Sequence, residues 1–524
     1  AMNHATEFIQ RGTITPAWLG GKPSTAGATL EIRSGADGSV IGRVPAAGEV
    51  EVDQAIASAA GARHAMARLP GHVRRDVLAQ VASGLTARAG EFAGVLVEEA
   101  CKTVRDARTE VARAIDTFRL ASEEATRIGG EYLPLDNTAR SEGIEAVWKR
   151  VPVGACSFIT PFNFPLNLAA HKIAPAIAAG NTVVLKPSEI TPFSGQLVEK
   201  LLEEAGLPEG VFSLVLGDGE TGAALCEVGV DKISFTGSVA TGRRVAVACA
   251  EQLIPCTLEL GGKDPMIVCA DADLDAAAGG ALAGGFLNAG QFCCGTERVY
   301  VVEEVADRFI EKVVERARAL RQETSGEFDV GAMFWPRQLE IVERQVDDAV
   351  AAGARVLVGG RRNPRFEGLF YEPTVIVDVR SDMALMRDET FGPVLPIVRV
   401  KDVDEAIARA NETRYGLAAN VWTRDAKRAG EIARRIDSGS VCVNDLSMTY
   451  GVIEAPFGGL KESGVGHVQG RDGLRGYCHA QPLIRDRFGG RQAGSHYPYS
   501  EKRDAGMKRM IRFFFGTPLG RWLS

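Results

Sequence analysis

Two adjacent cysteines follow a glycine-glutamine turn in the segment GQFCCGTER, residues 290–298. A nucleophilic cysteine needs an accessible position that stabilises its thiolate, and a turn of this kind can supply one. Cys293 is therefore a candidate nucleophile. The alternative is a buried structural thiol, which is the usual state of an intracellular cysteine and our expectation for eight of the ten cysteines in the chain.

Two further polar side chains stand near the ends of apolar, strand-like runs. Glu259 in LELGGKDP precedes two glycines, where a partly desolvated carboxyl can have a raised pKa and act as a base. Asn163 in ITPFNFPLN lies between aromatic residues and prolines, a rigid setting in which a side-chain amide can help to form an oxyanion hole. An ordinary hydrogen-bonded carboxylate and a turn-capping amide are the alternatives.

Two other segments suit a nucleotide. FTGSVATG, residues 235–242, runs from a strand into a helix, and its glycines let a pyrophosphate approach the free N–H groups of the helix N-terminus. LKPSEITP, residues 185–192, places Lys186 and Glu189 at the carboxyl edge of a sheet. A carboxylate there can accept hydrogen bonds from ribose hydroxyls and repel a 2'-phosphate. A helix cap and a solvated charged turn are the alternatives.

The elements that must position these residues are visible as changes in periodicity. In residues 50–129, apolar residues recur at spacings of three and four, which predicts amphipathic helices. In residues 151–260, the runs VGACSFI, NTVVLKP, VFSLVLG, KISFTG and CTLEL alternate with helical stretches, which predicts a parallel sheet. A second alternation follows, with strands predicted at PMIVCA, RVYVVEE, ARVLVGG, LPIVRV and SVCVND. We place the boundary between the two alternations at the glycine pair 261–262.

Length and composition exclude several classes of protein. A chain of 524 residues exceeds one hydrophobic core, so two or three domains are expected. The net charge of −7 argues against a nucleic-acid partner, and the absence of any CxxC pair argues against a zinc site or a disulfide framework, so we expect no metal. The first residues lack the apolar region of a secretory signal, and every long uncharged stretch is interrupted by polar residues, so we expect a cytoplasmic protein.

The C-terminal segment, residues 487–524, differs from the rest of the chain. It holds eight Lys or Arg residues against two acidic residues and ends in MKRMIRFFFGTPLGRWLS. A basic stretch with aromatic residues can lie on an anionic membrane surface or dock on a partner subunit. Packing on its own protein is the alternative.

In their order and spacing these motifs resemble the aldehyde dehydrogenase superfamily over residues 46–477, and DETFGPV (388–394) and APFGGLKESGVG (455–466) extend the match. The resemblance implies an α/β fold with a Rossmann-like cofactor domain in residues 1–130 and 151–260 and an α/β catalytic domain in residues 261–455. It also implies a small β oligomerisation element in residues 131–150 and 467–486, followed by the basic tail of residues 487–524, and a homodimer or homotetramer.

The same resemblance assigns roles to individual residues. Cys293 is the nucleophile, Glu259 the general base and Asn163 the side-chain half of the oxyanion hole. The residues expected to contact the cofactor are Thr160, Phe162, Lys186, Glu189, Gly237, Ser238, Glu389 and Phe391. The residues expected near the substrate tunnel are Leu168, His171, Phe292, Met448 and Tyr450. Phe162 stands where many family members have Trp, an exchange expected to alter packing more than chemistry.

The implied activity is oxidation of an aldehyde to a carboxylic acid with NAD(P)+, through a thioester on Cys293 that is hydrolysed by a Glu259-activated water. Glu189 favours NAD over NADP. The mostly apolar tunnel set indicates an uncharged, apolar aldehyde, and the sequence offers no arginine assignable as an anchor for a substrate carboxylate.

Three other readings of the chain remain open at this point. A CoA-acylating relative is disfavoured by Glu259, and a catalytically silent relative is disfavoured by the intact set of Cys293, Glu259 and Asn163. The third adds peripheral membrane contact through residues 507–524 to the enzyme activity, which would suit an apolar aldehyde.

Overall fold

The computed structural model describes residues 8–9, 13–135, 137–138, 141, 144–227, 229–446, 448–486 and 501–523. Its strands in chain order are β1 (Ala17–Leu19), β2 (Lys22–Ser24), β3 (Ala28–Arg33), β4 (Val40–Ala46), β5 (Gly130–Leu133), β6 (Ile144–Pro152), β7 (Ala155–Ile159), β8 (Thr182–Lys186), β9 (Phe212–Leu214), β10 (Lys232–Thr236), β11 (Cys256–Glu259), β12 (Asp264–Val268), β13 (Thr296–Val302), β14 (Arg355–Val358), β15 (Thr374–Val377), β16 (Val394–Val400), β17 (Ala418–Trp422), β18 (Ser440–Val443), β19 (Gly464–Val465) and β20 (Cys478–Asp486).

The α-helices are α1 (Glu49–Arg68), α2 (Gly71–Ala87), α3 (Ala89–Ala100), α4 (Val104–Glu124), α5 (Pro165–Ala179), α6 (Phe193–Glu204), α7 (Gly219–Glu227), α8 (Val239–Gln252), α9 (Leu274–Phe286), α10 (Glu303–Arg318), α11 (Pro336–Ala351), α12 (Ala384–Arg387), α13 (Val403–Asn411), α14 (Ala426–Ala433), α15 (Met448–Gly451), α16 (Gly470–Arg475), α17 (Glu501–Gly516) and α18 (Pro518–Leu523). The predicted opening region of helices is confirmed by α1 to α4.

A first sheet has the strand order β19-β11-β10-β7-β8-β9-β1-β2. Its central strands β7 to β11 pair in parallel, while β1, β2 and β19 add antiparallel pairings at the two edges. Every residue of β7, β8 and β10 is buried, as expected for parallel strands that are covered on both faces. The predicted parallel sheet of this region is therefore confirmed.

A second sheet has the order β14-β15-β16-β13-β12-β17-β18 and is parallel except for the β14–β15 pair. The five strand-like runs predicted here are strands β12, β13, β14, β16 and β18, and β15 and β17 add two that were not predicted. The chain passes from the first sheet to the second between Glu259 and Asp264, on either side of the glycine pair. The two largely parallel sheets and the helices that alternate with their strands along the chain confirm the predicted α/β class.

Two long helices carry side chains that matter at the site. In α4, Thr103 is the N-cap and its Oγ1 accepts the Asp106 N–H at 3.0 Å. Helix α5 begins with Pro165, whose missing N–H costs nothing in a first turn, and ends at Gly180 with φ 93°. Nearly the whole of α5 is buried, so its polar side chains need partners inside the protein.

The described residues divide into two compact units, Ala1–Arg127 with Pro152–Cys478, and Ile128–Val151 with His479–Ser524. In the second unit β5, β6 and β20 form a small sheet. Within the β element expected in residues 467–486, Cys478–Asp486 is strand β20, while Gln469 and Gly470, with left-handed φ values of 64° and 58°, lead into α16. The limits of the functional domains and the oligomerising role of the small sheet stay predictions.

Among the helices of the described residues, none combines the length and the apolarity needed to cross a bilayer. Residues 1–7 and 487–500 lie outside the described part of the chain. The expectation about a secretory signal and the first part of the basic tail fall on these residues.

Candidate active site

Cys293 lies in the connection between α9 and β13. The turn before it contains Asn288 with φ 52° and Gly290 with φ 73°. A Cβ on Gly290 would lie 2.1 Å from the carbonyl of Gly392, so glycine permits this close packing. Cys293 is partly exposed, whereas Cys294 is buried, and burial raises the pKa of the Cys294 thiol. Cys293 is therefore the accessible thiol of the pair.

Asn163 is held against this turn from two sides. It lies in the loop between β7 and α5 and is buried. Its Nδ2 donates to the Gln291 carbonyl at 3.1 Å, and Asn288 Nδ2 donates to the Asn163 carbonyl at 3.0 Å. The Oδ1 atom of Asn163 has no hydrogen-bond partner among the described residues. The predicted amide donor therefore lies beside the segment that carries the predicted nucleophile.

Glu259 is the last residue of β11 and pairs in register with Thr236 of β10. Its side chain is buried, and within the described part of the chain its Oε1 has no partner. Burial raises the pKa of this carboxyl well above its ordinary value, and the charge of Lys172 opposes the rise. Lys172 Nζ donates to the hydroxyls of Ser234 and Thr236 at 3.0 Å and 2.8 Å, which fixes this lysine near the predicted base. Sequence analysis did not assign Lys172 to the site.

A buried ion pair, also missed by sequence analysis, supports the Asn163 loop. Lys102 Nζ lies 3.2 Å from Glu110 Oε2 and donates to the Asn163 carbonyl at 2.7 Å. Glu110 Oε1 accepts the N–H groups of Leu166 and Asn167 in the first turn of α5, at 3.0 Å and 3.1 Å. One carboxylate thus caps the helix that follows Asn163, while its partner lysine binds the Asn163 backbone.

The predicted pyrophosphate segment opens α8. Ser238 is the N-cap of this helix, and its Oγ accepts the Thr241 N–H at 3.3 Å. A Cβ on Gly237 would approach the Phe235 ring to 2.6 Å, so a side chain does not fit there. Gly237 N donates to the Glu259 carbonyl at 3.0 Å, which ties this turn to the strand of the predicted base. The geometry suits an anion at the helix N-terminus.

The predicted ribose contacts lie at the carboxyl end of β8. Lys186 is buried, its Nζ donates to the Pro187 carbonyl at 3.2 Å, and it lies 3.5 Å from Oε2 of the partly exposed Glu189. Burial lowers the pKa of Lys186. On the neighbouring strand end, Thr160 N donates to the Lys186 carbonyl at 3.1 Å, and the buried Thr160 Oγ1 has no partner among the described residues. These polar atoms fit the hydroxyl-rich part of a dinucleotide.

Glu389 and Phe391 come from the loop before β16. Glu389 Oε1 accepts the Gly262 N–H at 3.1 Å, and burial raises the pKa of this carboxyl. Phe391 has φ 49°, in the left-handed region, and its N–H donates to Glu297 Oε1 at 2.9 Å. Glu297 in turn lies 2.5 Å from Lys263 Nζ. A buried charged pair therefore holds the backbone that presents Phe391.

The position that departs from the family pattern, Phe162, lies in an aromatic cluster. Its ring meets those of Phe334 and Trp335 edge-on, with centroids 5.3 Å and 5.7 Å away. The Phe391 ring lies 5.9 Å from Phe162. Phe162 thus packs edge-on against its neighbours, an arrangement that aromatic pairs prefer.

Four of the five predicted tunnel residues lie around the nucleophile. Cys293 packs on an apolar cluster, and the His171 ring lies 5.3 Å from the Tyr450 ring. Met448 does not join them: it opens α15, with its N–H bound by Asp445, and its side chain is exposed. The buried members of the apolar cluster are Leu168, Phe292, Cys294, Leu417, Ala418, Tyr450, Phe457 and Val468.

A thiol, an amide donor and a buried carboxyl on one apolar-walled site can perform acyl transfer. The family model for the aldehyde dehydrogenase family matches residues 22–482. The chain belongs to the aldehyde dehydrogenase family. It is an enzyme of aldehyde oxidation, as the sequence predicted. Within the described part of the chain, no group of three or more His, Cys, Asp or Glu side chains is arranged to hold a metal ion.

Relatives within the family are similar over nearly the whole chain. The 3-sulfolactaldehyde dehydrogenase of Priestia megaterium is 38% identical over 469 residues, covering 89% of this chain and 96% of that protein. A Sinorhizobium fredii protein named probable succinate-semialdehyde dehydrogenase [NADP(+)] is 38% identical over 470 residues, covering 88% and 94%. The crystal structure of betaine aldehyde dehydrogenase from Staphylococcus aureus in complex with NAD+ matches with a TM-score of 0.90 at 30% identity, covering 95% and 99%.

Replacement of Lys102 by Met should lower the kcat of aldehyde oxidation about tenfold or more, because the Asn163 loop loses its ammonium contact. It should also lower the free energy of unfolding by about 3 kcal/mol, because Glu110 stays buried without its partner. Steady-state kinetics and thermal unfolding measure both effects. The exposed Lys401→Met variant is the control, and a folded Lys102→Met enzyme with unchanged kcat would contradict the positioning role.

Proposed function

We propose that this enzyme oxidises an aldehyde to a carboxylic acid through a thioester on Cys293, which a water activated by Glu259 then hydrolyses. The observation that carries the proposal is that the accessible thiol of Cys293 packs on an apolar cluster, while Glu259, buried at the end of β11, keeps an Oε1 without a partner among the described residues. Asn163 completes the set through its bond to Gln291.

The chain's own residues act in two stages. The Cys293 thiolate attacks the aldehyde carbon, an S–C bond forms, and the carbonyl electron pair moves to the oxygen, which accepts hydrogen bonds from Asn163 Nδ2 and the Cys293 N–H. Lys186, Glu189 and the N-terminus of α8 at Ser238 would hold NAD(P)+, which would supply the acceptor for the hydride from this carbon. The acyl group left on Cys293 is then a thioester. Glu259 then takes a proton from water, the water oxygen attacks the thioester carbon, and the C–S bond breaks to release the acid and the thiolate.

The acyl acceptor in this mechanism is water and not CoA. The buried carboxyl at position 259, whose Oε1 has no partner among the described residues, is suited to proton abstraction once it is ionised, and the charge of Lys172 favours the ionised form. The intact set of thiol, amide and carboxyl disfavours a catalytically silent protein.

Replacement of Glu259 by Gln should separate the two stages. Acylation does not need the base, so the variant should keep one burst of reduced nicotinamide per site while its steady-state rate falls about 100-fold or more. Because burial raises the pKa of Glu259 and only the carboxylate acts as a base, the hydrolysis-limited rate of the unmodified enzyme should rise with pH above the ordinary carboxyl range. Stopped-flow absorbance of the reduced nicotinamide measures both.

Two matched variants control this experiment. Cys293→Ala should abolish both the burst and the turnover, whereas Cys294→Ala should retain them, because Cys294 is buried. Full steady-state activity in Glu259→Gln would show that Glu259 is not the general base of the hydrolysis. If turnover appeared only when CoA was added, CoA and not water would be the acyl acceptor.

The preferred cofactor in this proposal is NAD. The partly exposed Glu189 carboxylate next to Lys186 can bind ribose hydroxyls and repels a 2'-phosphate. The complex of the Staphylococcus aureus enzyme with NAD+ supports this preference, while the Sinorhizobium fredii relative is named for NADP(+). The charge at position 189 is the feature that decides between the two.

Glu189→Gln should raise kcat/KM with NADP+ about tenfold relative to NAD+, because it removes a like-charge repulsion at short range. Initial rates with both cofactors measure the ratio, with Glu304→Gln, an exposed carboxylate on α10, as the control. An unchanged ratio would mean that Glu189 does not set the preference.

The substrate in this proposal has an apolar stretch beside the aldehyde, because the cluster on which Cys293 packs is built from aliphatic and aromatic side chains. The two relatives are named for 3-sulfolactaldehyde and succinate semialdehyde, whose names denote a sulfonate and a carboxylate. Polar recognition at the remote end of the substrate is compatible with apolar walls next to the thiol.

The enzyme assembles, in this proposal, as a homodimer or homotetramer through the small sheet of β5, β6 and β20. Four large apolar side chains are exposed on these strands, which supports an interface there. They are Tyr132, Val147, Leu483 and Ile484.

The enzyme in this proposal is cytoplasmic and contacts the surface of a membrane through helix α17. On a helical projection Arg509 and Arg512 fall away from an apolar stripe that recurs at spacings of three and four. Lys508 flanks the stripe, and the exposed Phe513 lies on the basic side. The family model ends at residue 482, so the helix lies outside the matched region. Its basic side suits anionic lipid headgroups. The residues of the stripe, all exposed except the partly buried Phe514, are Met507, Met510, Ile511, Phe514 and Phe515.

The full chain should pellet with vesicles that contain phosphatidylserine and much less with phosphatidylcholine alone, and added salt should release it. Ile511→Asp should weaken pelleting about tenfold, because it places a charge in the apolar stripe, while Val350→Asp, a similarly exposed position on α11, should not. Co-sedimentation measures this. Equal pelleting of the full chain and of a chain ending at Gly490 would remove the membrane role.

A further inference from the structure

Two cysteines meet where helix α8 ends and strand β11 begins. Cys249 lies in the last turn of α8, and Cys256 is the first residue of β11. The Ile254 N–H donates to the Cys249 carbonyl at 3.0 Å, so the turn between the two cysteines folds the start of the strand back on the end of the helix. Both side chains pack in one apolar cluster, in which Cys249 is buried and Cys256 is partly exposed.

The thiols of this pair interact directly. The hydrogen bond between them lowers the pKa of Cys256 and raises the pKa of Cys249, and burial raises the pKa of Cys249 further. The positive charge of Lys232 also lowers the pKa of Cys256, and Lys232 Nζ donates to Oγ1 of the next residue, Thr257, at 2.9 Å. Cys256 is therefore the thiol that ionises more readily, and Cys249 stays protonated beside it.

A third thiol, that of Cys226 on α7, packs in the same apolar cluster. It is buried, and burial raises its pKa, so it is a poor nucleophile. Of the three thiols, Cys256 is the one that a small oxidant meets from solvent. Cys256 is one of the eight cysteines for which we expect a buried structural thiol, and its partial exposure corrects that expectation.

We propose that Cys256 and Cys249 form an oxidation site, at which a hydroperoxide converts the two thiols into a disulfide. The Cys256 thiolate attacks the terminal oxygen of the peroxide, an S–O bond forms, the O–O bond breaks, and the released oxygen takes up a proton and leaves as water or an alcohol. The Cys249 sulfur then attacks the sulfur of Cys256, an S–S bond forms, and the S–O bond breaks. The hydroxyl leaves as water with the proton of the Cys249 thiol, so two electrons pass from the thiols to one peroxide.

The pair is separate from the groups assigned to the reaction. Ser238 at the start of α8 and Glu259 at the end of β11 lie at the opposite ends of these two elements from Cys249 and Cys256. A disulfide ties the end of the helix to the start of the strand and uses no atom of the predicted pyrophosphate turn or of the predicted base. The inference therefore does not depend on the proposed reaction at Cys293, and its test needs no turnover.

Oxidation is measured on the full chain carrying Cys293→Ala, which removes the accessible thiol of the candidate active site. The chain is treated with hydrogen peroxide, the remaining thiols are alkylated, and trypsin releases residues 245–263 as one peptide that contains both cysteines. Mass spectrometry should find this peptide unalkylated and lighter by two hydrogen atoms, and dithiothreitol should reverse the change. The disulfide should form about tenfold faster than Cys478, which is also partly exposed, is oxidised.

Variants in the same Cys293→Ala chain separate the roles of the two thiols. Cys249→Ser, and equally Cys249→Ala, should leave Cys256 as a sulfenic acid that dimedone labels. Cys256→Ser should prevent the disulfide and leave Cys249 unlabelled, because Cys249 is buried and protonated. Cys226→Ser is the matched control, since it replaces another buried thiol of the same cluster, and it should form the disulfide at an unchanged rate.

Three results would overturn the inference. Full alkylation of the peptide 245–263 after peroxide treatment would mean that the pair is not an oxidation site. A disulfide between Cys256 and Cys226 would mean that Cys249 is not the resolving thiol. Dimedone on Cys249 in the Cys256→Ser chain would mean that Cys249 is the thiol that the peroxide attacks. All three are read without aldehyde or cofactor, so absence of aldehyde oxidation in the unmodified enzyme bears only on the proposed function.

Discussion

The site depends on the contact between the loop after β7 and the turn before Cys293. These segments are 125 residues apart in the chain, measured from Asn163 to Asn288, and two side-chain amides join them through each other's backbone. Because each amide donates to a backbone carbonyl of the opposite segment, neither loop can shift without breaking a buried hydrogen bond. The distance between an amide donor and the thiol thus depends on strand β7 of the first sheet, which precedes the Asn163 loop, and on strand β13 of the second sheet, which follows the Cys293 turn.

Burial controls the charges around this contact. Desolvation raises the pKa of Glu259 and lowers that of Lys172, so the two groups favour forms that carry less charge, while their mutual attraction opposes this. Lys102 and Glu110 also lose solvation on burial, but this loss is offset because each has an ionic partner and a hydrogen bond to the backbone. Glu259 can therefore gain or lose a proton more readily than an ordinary carboxyl at neutral pH, as a base requires, whereas the Lys102–Glu110 pair is fixed, as a support requires.

Much of the fold could be predicted because the relevant information is local, whereas the roles of the site residues were predicted from the resemblance of their motifs to a family. Cys293, Glu259 and Asn163 stand in short motifs next to strand ends, and buried strands such as β8 and β10 read as apolar runs. Strand β17, AANVW, was missed because it is short and begins with two alanines. Met448 was placed in the tunnel by position alone, and the short helix that it opens leaves its side chain exposed.

The side chains that sequence analysis missed share a different property. Lys102, Glu110 and Arg113 lie in a region that reads as ordinary amphipathic helix, and their partners come from far along the chain. The burial of Glu110 is indicated by the local sequence, since it lies on the buried side of α4 with Ala107, Val111 and Ala114. A charged residue in an apolar stripe predicts a buried partner without naming it.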